Sequence, residues 1–388
     1  MADGEIDLRG WLTSLGKDAY IARLHAEAPL GRDVNGFWVA SRFDDVRAIL
    51  LDHRRFSSKA MMGADRGPGG QNFPFPLITD DPPRHTTLRG LLAKAFTPAA
   101  METMRPAIEQ LASELADAIP RGVEVDIVAA LTTPLPVAVI AGMMGVPEER
   151  RTDFKRWSNA VLGIQSGPIE ADRIALLMEL RAYFAQLAEA RRSEPGDDLV
   201  SALTKASEAG ETLSDMQVVG FCILLMIAGN ETTTNLLGNL LNRIADAPDV
   251  WGALRADPAL VEKAIEESLR IDSPAQYVFR RATEDVTIGT TTVPAGETVM
   301  VYLASANRDP DRWSDPADFA AARERDRHVA FGHGVHTCIG APLARIEAKA
   351  AMQALLVRFS SIERGESPGR RLPGGLLFGF QSLPVVFR

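Results

Sequence analysis

Residues 331–340 read F-G-H-G-V-H-T-C-I-G, and Cys338 within them is the most informative residue of the chain. Glycine reaches positive φ without steric cost, so a cysteine flanked by glycines sits on tightly turned backbone. Such a loop aims backbone N–H groups at the sulfur. Those donors favour a thiolate, the form that binds metals. The following A-P-L-A-R-I-E-A-K-A reads as a helix that tolerates Pro342 in its first turn, and its N-terminal dipole favours the same negative sulfur. A lone cysteine in a Gly-rich turn is more often a buried, inert thiol. The specific spacing around this one argues against that reading.

Phe331, Gly332, Gly334, His336, Cys338, Gly340, Leu343, Ala344 and Arg345 together closely resemble the cysteine loop of the cytochrome P-450 family. The resemblance implies that Cys338 is the proximal thiolate ligand of haem iron. The cofactor would be haem b (iron protoporphyrin IX), with Phe331, Gly332, His336 and Gly340 also in its site. It further implies a mainly α fold with a minor β-sheet region, in which haem lies between a long central helix and the cysteine-loop helix. Residues 1–388 are expected to form a single domain.

Composition is consistent with this. A length of 388 residues is large for one domain, yet no linker stands out, and 63–72 (G-A-D-R-G-P-G-G-Q-N) is closely flanked by apolar patterns. The net charge of −9 argues against nucleic acid as the main partner, since phosphate contacts need clustered Lys and Arg. The N-terminal M-A-D-G-E-I-D-L-R-G lacks the apolar core of a signal peptide. The longest apolar run, Val218–Gly229, has 12 residues, against roughly 20 for a spanning helix. A cytoplasmic protein without a membrane anchor, working as a monomer, is expected. Cys222 and Cys338 give no disulfide framework.

Along the chain, 36–41 reads as a strand and Phe43–Leu51 as a short amphipathic helix. Residues 63–80 read as a loop. Helical patterns span Arg84–Phe96, Ala100–Ile119, Leu131–Met144, Glu149–Leu162 and Ile169–Ser193. Ser214-x-x-Gln217 is a capping box that opens the longest helix, ending near Ala247 before Pro248. Its first half is apolar all round and so buried on all sides. Pro258–Asp272 is helical, 278–301 reads as short strands, and 372–387 as strands with a turn.

Three further constellations carry chemistry. His85 and Arg89 are four apart, on one helix face, and suit a planar double anion. D-P-P-x-H-x-x-x-R resembles the family segment whose His and Arg clamp the haem propionates. His336 and Arg280 match further propionate contacts; Arg280 is preferred to Arg281 because it lies five residues before Asp285. Within the long helix, A-G-N-E-T-T at 228–233 combines a helix-interior glycine, worth about 1 kcal/mol relative to alanine, with a charge and two β-branched residues. Such local violations mark a site. Gly229 would let a flat cofactor approach, beside Ala228. The string resembles the family's oxygen-activation motif, which makes Glu231 the acid and Thr232 the alcohol that deliver protons. Glu267 and Arg270 fit the family's E-x-x-R, a structural ion pair that Arg323 would complete.

The leading function is a haem-thiolate monooxygenase that inserts one oxygen atom from O2 into a lipophilic organic molecule such as a terpenoid or steroid. The chain carries no flavin or nicotinamide fingerprint, so electrons would come from a ferredoxin and a ferredoxin reductase. A peroxide-using or isomerising haem protein is the alternative, against which the Glu231–Thr232 pair speaks. A non-haem metal module built from His328, His333, His336 and Cys338 is the third reading. Substrate-pocket candidates are Phe73, Phe75, Leu77, Leu224, Ile227, Val278, Leu376 and Leu377, with Gln276 as the polar member. From Arg327 to Ile346 there is no Asp or Glu. That local basic island is expected to steer an acidic electron donor to the cysteine-loop face.

Overall fold

The computed structural model describes residues 5–6, 16–60, 75–164, 171–208, 211–324, 327–373 and 375–388. Near the N-terminus, α1 (Lys17–Glu27) and α2 (Phe43–Leu51) accompany a mixed sheet with strand order 5–6, 30–33, 38–40, 298–301, 278–282, 56–57. α2 has the bounds its pattern predicts and turns Phe43, Val46, Ile49 and Leu50 inward. Side chains alternate across a strand, so Val278–Ala282 buries Arg280 and exposes Arg281.

α3 (Arg84–Ala93) runs into a 3-10 turn ending at Phe96. Thr97 then caps α4 (Pro98–Asp117) by accepting from the Ala100 N–H at 3.3 Å. A π-helical turn at Val128–Thr132 leads into α5 (Pro134–Met143), followed by α6 (Arg151–Ile164), α7 (Ala171–Ser193) and α8 (Leu199–Lys205). α9 (Asp215–Ala245) is the longest helix, at 31 residues or about 45 Å. Both halves of its predicted capping box form: the Gln217 N–H donates to Ser214 Oγ at 3.3 Å, and the Ser214 N–H to Gln217 Oε1 at 2.8 Å. By length and composition α9 could cross a membrane. Here it runs through the interior, packed on α5, α7 and later helices.

α10 (Pro248–Ala256), α11 (Leu260–Ile271) and the short α12 (Leu303–Ala306) follow. α13 (Ala341–Arg358) packs chiefly on α4 and also touches α9 and α11. Expectation missed α1 and α10, whose apolar faces are short.

Two ionic hubs join distant segments. Arg270 donates to both oxygens of Glu267 at 2.8 Å, and Arg323 Nε adds a bond to Glu267 at 3.0 Å. Arg270 also donates to the carbonyls of Asn307, Pro316 and Asp318, so the pair fastens α11 to the 307–323 segment. At the end of α11, Asp272 accepts from Lys17 at 2.8 Å and from Arg243 at 2.7 and 3.1 Å, with Arg308 at 3.5 Å. Burial alone would raise the Asp272 carboxyl, but these cations hold it well below the usual carboxylate range. Burial draws the Lys17 ammonium down to about 7, against the pull of Asp272.

Asp272→Asn would leave three cations together in a site where Asp272 is fully buried, and should cost about 3–5 kcal/mol in denaturant unfolding. The depressed carboxyl contributes stability that is complete above its unfolded pKa of about 3.9 and is lost as pH falls below it. The deficit of the variant should therefore be full at pH 7 and shrink in acid. An unchanged midpoint at pH 7 would remove Asp272 from this role.

Candidate active site

The cysteine loop is closed by a hydrogen bond from the Cys338 N–H to the Phe331 carbonyl at 2.8 Å. Gly332 and Gly334 have φ of +69° and +73°, the left-handed region that glycine enters without strain. At Gly334 a Cβ would also lie 2.5 Å from the Leu50 carbonyl oxygen of α2. Gly340 does not follow the expectation. Its φ is −81°, and it is the residue that leads into α13. Backbone N–H groups of Gly340 and Ala341 do reach the sulfur.

Burial pushes the Cys338 thiol up, against those N–H groups and the charges of Arg89 and Arg345. The N–H groups thus favour the thiolate as expected while burial opposes it; a coordinated metal cation would settle the balance, since it deprotonates a ligand thiol outright. Cys338 is nevertheless exposed, whereas Cys222 is sealed in the core and its thiol is driven far up by burial.

Beside this loop, the His85 and His336 rings lie 4.1 Å apart. His85 is buried, and neither ring nitrogen has a hydrogen-bond partner among the described residues. Burial, then Arg280, His85 and Arg89, pull His336 down to about 3. Burial also draws the Arg280 guanidinium down to about 10, with Asp81 opposing. Four basic side chains thus converge from α3, the 278–282 strand and the cysteine loop. Buried cations that oppose one another are costly unless an anion joins them. The donor set and the orphaned His85 nitrogens fit a group with two carboxylates.

α9 supplies the opposite wall. Between Val218 and Asn242 its buried run breaks only at Ile227, Ala228, Gly229 and Thr232, and Ala228 is exposed. Thr232 Oγ1 donates to the Ala228 carbonyl at 2.7 Å, the i−4 bond that distorts helices. Gly229 has a reason beyond the one expected. A Cβ there would sit 3.0 Å from Ile140 Cγ1, so the glycine also permits close packing of α9 on α5. Glu231 is buried and points at α6, where Lys155 Nζ donates at 2.7 Å and Ser158 Oγ at 3.0 Å. Sequence reading missed Lys155 and Ser158. They sit three apart on one face of α6, but nothing local says which acid that face meets.

Of the pocket candidates, Phe73 lies outside the described residues. Leu77 and Leu224 are buried, and Phe75, Ile227, Val278, Leu376 and Leu377 are half-buried. Gln276 is not a free polar anchor: its side-chain amide donates to the Ser273 carbonyl and its N–H to the Leu376 carbonyl. The basic island is also reduced. Glu266 of α11 binds Arg345 at 2.7 and 2.8 Å and lies 3.3 Å from His328. Burial would raise Glu266, yet those partners hold it down to about 2. Among the described residues, no group of three or more His, Cys, Asp or Glu side chains could hold a metal ion, which removes the support for the non-haem module.

The cytochrome P-450 family model matches residues 159–386. Cytochrome P-450 107B1 of Saccharopolyspora erythraea is 40% identical over 405 residues, covering 99% of both chains. The structure of CYP109Q5 from Chondromyces apiculatus aligns with TM-score 0.88 at 39% identity, over 99% of this chain and 98% of that one. CYP109E1 from Bacillus megaterium, in complex with testosterone, aligns with TM-score 0.85 at 36% identity, over 94% and 96%. The fold is that of a haem-dependent oxygenase, and the chain belongs to the cytochrome P-450 family. It is a monooxygenase, and its cofactor is haem b.

Cys338→Ser should abolish the red-shifted carbon monoxide spectrum of a thiolate-ligated ferrous haem, and Cys222→Ser should retain it. The reverse result would move the ligand to Cys222.

Proposed function

We propose that this monooxygenase oxidises an uncharged, lipophilic small molecule of steroid or terpenoid type. Its electrons come from a ferredoxin and a ferredoxin reductase, and it works in the cytoplasm as a single-domain monomer. In this reading Cys338 ligates the iron, and His85, Arg89, Arg280 and His336 hold the propionates. The observation that carries it is the interruption of the α9 buried run at Ala228 and Thr232, together with the cation cluster and Cys338. Bound haem with a thiolate ligand supplies oxygen activation and favours O–O cleavage.

The chain's own part is proton handling and exclusion of water. The Thr232 hydroxyl donates to the Ala228 carbonyl and keeps lone pairs free to accept. Glu231 stands at the next position, clamped by Ser158 and by Lys155, whose side chain is 33% exposed. Solvent protons can thus reach the carboxylate beside Lys155, and a turn of Glu231 or an ordered water carries them to Thr232. For the substrate, the candidate lining is apolar and Gln276 is already committed, which favours ligands without charge. The testosterone complex of the relative supports the same class. A spin-state binding screen should show shifts with neutral steroids and terpenoids and none with short fatty acids; the opposite pattern would overturn the class.

Thr232→Ala should keep haem and substrate binding and still consume reduced nicotinamide through the redox partners. Product should fall, with hydrogen peroxide rising in its place. Glu231→Gln and Lys155→Met should slow turnover as a whole, and Thr233→Ala should change little. Full coupling in Thr232→Ala, or uncoupling that follows Thr233 instead, would sink the assignment.

Glu266 offsets His328 and Arg345, so the positive charge of the cysteine-loop face is smaller than its stretch of sequence suggests, with Arg47 and Arg327 near His333. Electron transfer from an acidic ferredoxin should slow as salt rises, and Arg327→Glu should slow it further at low salt. Rates indifferent to both would place the donor elsewhere.

A further inference from the structure

Asp81 does not touch the four cations as a ligand would, yet it is bonded to the segments that carry them. Its carboxylate accepts the Ser57 hydroxyl at 2.5 Å and the Ser58 N–H at 2.8 Å. Its carbonyl accepts the His85 N–H at 3.0 Å, at the start of α3. Its charge offsets Arg280. Ser57 in turn pairs with Arg281 on the strand that carries Arg280. Ser58, fully buried, places its hydroxyl 2.9 Å from His336 Nε2. One acid and one hydroxyl therefore link the 56–58 segment, α3, the 278–282 strand and the cysteine loop.

We propose that Asp81 and Ser58 are positioning residues of the haem site. Asp81 fixes the backbone of Ser57 and Ser58. Ser58 then fixes the His336 ring, so that the basic side chains face one dianion rather than relaxing apart. The need for such a device is physical. Two imidazoles and two guanidiniums share one largely buried place, and each would turn aside if its ring or chain were free. Whichever of the two donates, the bond at Nε2 fixes the plane of the ring and leaves Nδ1 to face the ligand site. Partners of this kind orient the groups that hold a cofactor, and their loss typically costs 10–100-fold in affinity.

The inference rests on the assignment of His336 to the propionate-holding set, and the experiment separates the two. Haem transfer from the ferric holoenzyme to excess apomyoglobin would be timed in the parent protein, Ser58→Ala, Asp81→Asn, His336→Ala and the Ser58→Ala/His336→Ala double variant. The ferric/ferrous potential would be titrated alongside. Ser58→Ala should release haem about 10-fold faster and shift the potential, and Asp81→Asn should do so at least as strongly. In the His336→Ala background, Ser58→Ala should add nothing, because its route runs through that ring. A purely structural hydroxyl would add its full effect there. Parental haem retention in Ser58→Ala with fast loss in His336→Ala overturns the positioning role alone. Parental retention in both overturns the His336 assignment as well.

Discussion

The gathering of His85, Arg89, Arg280 and His336 into one largely buried place is the constraint on which the rest of the site depends. These side chains come from positions up to 251 residues apart, from His85 to His336, and no local propensity would gather them. Burial already pulls His336 down to about 3 and Arg280 to about 10, so the protein alone holds the cluster in an unfavourable state. A dianion reverses the sign of that energy. The fold therefore gains stability when the cofactor enters, since anything bound by the folded state alone stabilises it by mass action. The same logic applies to Cys338, whose thiol the protein raises and whose thiolate a metal would stabilise.

α9 converts this cofactor platform into a reaction chamber. Its burial from Val218 to Met226 fixes it in the core, so the opening at Ala228 and Thr232 is a feature of one face rather than of a loose segment. Gly229 packs on Ile140 and sets the depth of that face against α5. Glu231 is tied to Lys155 and Ser158 of α6. The position of α6 is thus tied to Glu231: any displacement of α6 from α9 must break two hydrogen bonds to a buried carboxylate.

The outer frame relies on ion pairs whose partners are remote in sequence. Glu267 with Arg270 and Arg323 fastens the 307–323 segment to α11, and Asp272 gathers α1, α9 and the residues after α12. Removing one partner from such hubs leaves a buried charge unpaired, which is why their cost is asymmetric.

Much was legible in the sequence because it was written in local rules. α2 and the α9 capping box follow from apolar spacing and a reciprocal side-chain cap. Positive φ at Gly332 and Gly334 follows from glycine's lack of a Cβ. The cysteine-loop and A-G-N-E-T-T motifs identified the family. What only the tertiary structure decided involves groups brought together from different elements. Glu266 partly cancels a stretch with no acid of its own. Lys155 and Ser158 engage Glu231 from α6, Ile140 packs against Gly229, and Ser58 reaches His336 from a distant segment. The physical reason is common to all of these. Helix caps and strand alternation depend on neighbours in the chain, whereas charge compensation and close packing depend on neighbours in space.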